Sequence, residues 1–91
     1  MADFSEWLKS DAEKFYNIRE AFPEYADLGD LDFARRMLNR IQNMIDAPEQ
    51  ERDRFFTMLL RRLPQYREFN RTQLRDELLR LFSKAVGHFS I

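Results

Sequence analysis

Apolar residues recur at three- and four-residue intervals along almost the whole chain, the period of helices with one buried face. The first stripe is Phe4, Trp7, Leu8, Phe15, Ile18 and Phe22. Ser5 or Asp3 can cap its start, and Pro23 ends it at about Ala21, because the residue before a proline is pushed out of the helical region. Residues 24–29 turn the chain, and Asp30 is the expected N-cap of a second helix that runs to about Asp46 with Leu31, Ala34, Leu38, Ile41 and Ile45 as its main stripe. Pro48 suits a first helical position, and Glu49, Glu51 and Asp53 suit the positive end of a helix dipole. That third helix carries Phe55, Phe56, Leu59, Leu60 and Leu63 and stops before Pro64. A fourth begins near Asn70 or Thr72, carries Leu74, Leu78, Leu81, Phe82, Ala85 and Val86, and closes at Gly87 with Lys84 in its last turn.

No strand-period segment, internal repeat or low-complexity tract competes with this reading. Four helices with short connections predict an all-α fold, a small four-helix antiparallel bundle or a similar helical packing, with residues 1–91 as a single helical domain.

Composition adds two points. The chain is 91 residues long, 44 % hydrophobic and 34 % charged, which supports one modest core rather than disorder. Nine Phe, three Tyr and one Trp exceed the ordinary needs of so small a core, so some are expected to face a partner. The net charge of −1 hides an asymmetry: residues 1–46 hold ten acids and six bases, residues 47–91 six acids and nine bases. The halves are built to attract each other, or different partners. Twelve of the fifteen bases are Arg, which binds carboxylate and phosphate through a planar fork.

The chemistry available is narrow. Without cysteine there are no disulfides, thiolate metal sites or cysteine nucleophiles. The N-terminus is charged from its third residue and lacks the apolar core of a signal peptide, and the longest strongly apolar run, residues 55–60, is far short of the roughly 20 residues that span a bilayer. A cytoplasmic protein with no membrane partner is expected. The one histidine, His88, sits where it would help close the last helix, and Asp27, Asp30 and Asp32 lack the ligand order of a calcium loop. No catalytic residue, metal site or cofactor is assigned, and the expected protein is not an enzyme.

Three groups depart from the simple pattern. Asp11 and Arg52 fall inside apolar arcs and are expected as buried charges, Asp11 pairing with Arg52 or Arg75. Phe33, Met37 and Met44 form a second apolar shoulder on the second helix, a candidate interface with a partner or a second copy, since Met packs adaptably. Arg61, Arg62, Arg67, Arg71 and Arg75, interleaved with Tyr66 and Phe69, are candidates for an anion or nucleic-acid surface that would combine Arg forks with aromatic stacking.

The leading expectation is a non-enzymatic protein–protein interaction module, an adaptor or a regulator or inhibitor that occupies a protein partner and can act as a homo-oligomer. The alternative is nucleic-acid or anionic-ligand binding through residues 61–75, less favoured because the isoelectric point near 5.8 does not suggest a strongly basic face.

Overall fold

The computed structural model describes residues 7–90; the expected caps Asp3 and Ser5, and Phe4, lie outside the described residues. Four helices follow one another: α1 (Lys9–Glu20), α2 (Asp30–Ile45), α3 (Glu49–Arg62) and α4 (Arg71–Phe89). A 3-10 turn, Pro23–Tyr25, joins the first two, and another, Pro64–Tyr66, joins the last two. There is no strand among the described residues, in agreement with the expected all-α fold.

α4 runs antiparallel to α1 and α2. Lys14 lies 3.7 Å from Glu77, while Asp11, one turn earlier on α1, reaches Arg80 and Lys84 later on α4. Phe33 near the start of α2 meets Phe82 near the end of α4 with ring centroids 6.0 Å apart, and Met44 and Ile45 at the end of α2 share a cavity with Arg71 and Arg75 at the start of α4.

Contrary to the expectation of no internal repeat, the described elements come in the same order twice, helix, 3-10 turn, helix, and each run forms one unit. The turn at Pro64 follows the turn at Pro23 by 41 residues, and α4 starts 41 residues after α2. Phe22 and Leu63, the residues before the two prolines, have nearly the same backbone angles, φ −125°, ψ 68° and φ −121°, ψ 70°. Each is also fully buried, so each turn drives an apolar plug into the core while its proline leads the chain outward. Tyr25 and Tyr66 close the two turns by donating from their backbone N–H groups to Phe22 and Leu63 at 3.0 and 2.9 Å. Six core positions of the first unit, Phe15, Ile18, Phe22, Phe33, Met37 and Ile41, match Phe56, Leu59, Leu63, Leu74, Leu78 and Phe82 at the same spacing, and all twelve are buried. Each such side chain contributes roughly 1.5–3 kcal/mol through burial. The units interlock, since α2 packs along α4, α1 against α4 and α3 against α2. Arg62 fastens them at one point: it donates to the carbonyl of Ala21, its own counterpart in the first unit, at 3.3 Å, and to both oxygens of Glu24 at 2.8 and 2.7 Å. Its guanidinium also lies over the Phe22 ring, 4.8 Å from the centroid.

Two sequence expectations are corrected by this packing. Phe33 and Met37 are fully buried, so they are core and not an exposed interface; α2 is apolar on two sides because it is central, covered by α3 and α4 at once. Gly87 does not end the last helix. α4 continues to Phe89, where the Trp7 ring stacks on His88 (centroids 5.1 Å apart) and packs edge-on against Phe89 (5.7 Å). These contacts outweigh a mid-helix glycine, a penalty of about 1 kcal/mol. At the other helix ends Gly29, not Asp30, occupies the cap position of α2, while Asn70, one of the two residues near which the fourth helix was expected to begin, caps α4 by accepting from the Gln73 N–H at 2.8 Å.

Candidate functional site

Of the two charges expected to be buried, Asp11 is and Arg52 is only half-buried, and that contrast defines the site. Asp11 is 2 % exposed, and it pairs with neither Arg52 nor Arg75. Its carboxylate accepts from Arg80 Nη1 at 3.4 Å and from the Leu8 N–H at 3.4 Å, and Lys84 Nζ lies 3.7 Å away. Arg80 is held in turn by Glu77 at 3.1 and 3.2 Å, a hydrogen bond that raises the guanidinium pKa further. The expected partners fail for a topological reason. Arg52 and Arg75 lie at the start of α3 and α4, whereas antiparallel packing brings Asp11 to the second half of α4.

Arg52 instead faces a cavity of about 230 Å3 between the end of α2 and the starts of α3 and α4. Met44, Ile45 and Phe56 form its apolar lining; Arg52, Arg71, Arg75 and Thr72 form the polar part. Arg71 is ion-paired with Asp53, and Arg75 Nη2 lies 3.0 Å from Asp76. Arg52 has no such pairing, and its Nε is buried without a hydrogen-bond partner among the described residues. Three guanidinium groups thus meet two carboxylates. The start of α4 adds to the positive field, because the backbone N–H groups of Arg71 and Thr72 have no acceptor within their own helix. An anionic group entering here would meet a charged donor, apolar walls and one unbalanced positive charge.

The fold divides the Arg-rich stretch that looked contiguous in sequence. Arg62 turns back onto Glu24 and Phe22. Arg61 is exposed on α3, and Arg67 is exposed beside Pro64, Gln65 and Glu68. Tyr66 is buried, which pushes its phenol up to about 12, and packs edge-on against the partly exposed ring of Phe69, centroids 5.0 Å apart. Arg71 and Arg75 alone of the five line the cavity, joined there by Arg52 and by Met44. Ile45, Phe56 and Thr72 were not singled out from sequence, since nothing local separates them from a helix's ordinary apolar stripe or first turn. The signal that did exist was Arg52 inside an apolar arc.

Among the described residues no group of three or more His, Asp or Glu is placed to hold a metal ion, and no helix is long and apolar enough to cross a membrane. No protein-family model matches the chain, and comparisons with curated proteins and with solved structures give no match.

Proposed function

We propose that the protein is a non-enzymatic module that binds a partner protein, in the cytoplasm, and that the partner presents an anionic group to the Arg52–Arg71–Arg75 cavity. The observation that carries this reading is Arg52 itself: a half-buried guanidinium, its Nε buried without a partner among the described residues, set in a cavity that it shares with Arg71, Thr72 and Arg75 and with the apolar Met44, Ile45 and Phe56. Leaving a buried charged donor unsatisfied is costly, and a fold gains nothing from it unless something else completes the contact. Arg, Met and aromatic side chains are also the residues enriched where proteins meet. Phosphate tracking along residues 61–75 has less support, because Arg62 is committed to Glu24 and the exposed Arg61 and Arg67 lie apart from the cavity.

The test is a photoreactive amino acid in place of Ile45, which lies at the cavity rim and is 41 % exposed. Irradiation in cells of the source is expected to yield a discrete protein adduct that disappears when Arg52→Gln is introduced. Adducts with nucleic acid, or protein adducts indifferent to Arg52, would overturn the reading.

A further inference from the structure

The repeated unit shows what a filled version of this cavity looks like. Shifted by 41 residues, Arg52 and Phe56 correspond to Asp11 and Phe15, each pair one helical turn apart on the first helix of its unit. At the Asp11 end the protein supplies both things such a site needs. Opposite charge comes from Arg80 and Lys84 on α4, and an aromatic cover comes from Trp7 and Phe89, whose rings lie 5.8 and 5.3 Å from that of Phe15. At the Arg52 end neither is supplied. The positions on α2 that correspond to Arg80 and Lys84 are Asn39 and Asn43, which are exposed and uncharged. Trp7 and Phe89 both correspond to Pro48, which is exposed in the link between α2 and α3. The charge at the site has changed sign between the units, and its internal counter-charge and aromatic lid are missing.

We infer that the cavity takes an acidic segment of a partner protein in which a side-chain carboxylate is accompanied by a neighbouring aromatic side chain, the carboxylate on Arg52 and the ring over Phe56, Met44 and Ile45. This rests on the binding reading above and names the chemical class of its partner. Charge selects a carboxylate over a phosphate monoester: one positive charge is left over among Arg52, Arg71 and Arg75 after Asp53 and Asp76, and one carboxylate balances it, whereas a phosphomonoester brings roughly −1.5 to −2. The aromatic ring supplies what Trp7 and Phe89 supply in the other unit, large apolar area in a T-shaped or stacked contact.

The experiment is selection from displayed short random peptides on the whole protein, in parallel with Arg52→Gln and with Arg67→Gln as a control remote from the cavity. Wild type and Arg67→Gln are expected to enrich peptides with Asp or Glu adjacent or near to Phe, Tyr or Trp, and Arg52→Gln is expected to lose that enrichment. In solution, removing either the acid or the ring from one selected peptide should weaken binding by about tenfold. Acidic peptides that bind equally well without a ring would overturn the inferred partner class while leaving an anion site in place. A phosphopeptide or a single-stranded oligonucleotide that binds more tightly than every selected peptide would overturn it in favour of phosphate. No binding of any acidic peptide, oligonucleotide or inorganic pyrophosphate would remove the anion site as well.

Discussion

Asp11 and Arg52 hold the same place in the two halves of the molecule, one turn before Phe15 and Phe56, and carry opposite charges. Asp11 is answered from within the fold by Arg80 and Lys84; Arg52 is not answered among the described residues. Removing them should therefore have unequal consequences. Asp11→Ala leaves the Leu8 N–H and part of the Arg80 and Lys84 charge uncompensated and is expected to cost about 1–3 kcal/mol. Arg52→Met keeps the packing, discards an unpaired charge and should leave stability unchanged or raise it by up to about 1 kcal/mol. Urea unfolding of both variants decides the matter, and equal losses would make Arg52 a structural charge.

Gly29 offers a second use of the repeat. Its counterpart is Asn70, whose side chain caps α4, yet Gly29 has φ −68° and ψ 167°, angles open to any residue, and apart from its own chain neighbours nothing lies within 4 Å of where a Cβ would stand. Gly29→Asn should thus supply the missing acceptor and restrict the unfolded chain, with a gain of about 0.5–1 kcal/mol. Thermal unfolding would show it as a higher midpoint. A lower one would mean that the start of α2 does not accept the cap geometry of α4.

The legible part of this fold is what helical period and proline placement dictate. All four helices and both prolines that break them were readable, because each stripe and each break is a local property of consecutive residues. The repeat was not, since at the 41-residue shift few positions are identical, Phe15 and Phe56, Pro23 and Pro64, Tyr25 and Tyr66, Leu38 and Leu79, while other matching core positions exchange Phe for Leu and Met for Leu. Nor could the sequence separate Arg62, which fastens the two units, from Arg71 and Arg75, which line the cavity; that depends on which helices meet. The same limit explains the misplacement of Phe33 and Met37, because a central helix and a helix with an outward apolar face present the same pattern.

Met37 provides the check on that point. It is fully buried between the units, so Met37→Glu would place a carboxylate where no partner is available, at an expected cost of at least about 3 kcal/mol, and the helical circular dichroism signal should collapse or melt far earlier. Met37→Leu conserves volume and should cost less than about 1.5 kcal/mol. A Met37→Glu protein that stays helical and monomeric would place this side chain at a surface instead of in the core.

Tyr66 makes alkaline stability the other accessible readout. Burial is the main cause of its raised pKa; the charge of Glu77 adds to it and that of Arg80 opposes it. The unfolded phenol ionises near 10.0 and the folded one near 12, so as pH rises through this window the unfolded chain releases its proton first and gains relative to the folded state. The stability that depends on the neutral phenol is fully present below pH 10 and is lost as the pH approaches 12. Tyr66→Phe has no phenol to ionise, so its urea midpoint should fall more gently over the same interval. Some decline should persist, because the Tyr16 pKa is also raised, chiefly by its 2.7 Å hydrogen bond to Asp30. Midpoints that decline in parallel for wild type and Tyr66→Phe would show that the buried turn of the second unit does not govern the alkaline limit of the fold.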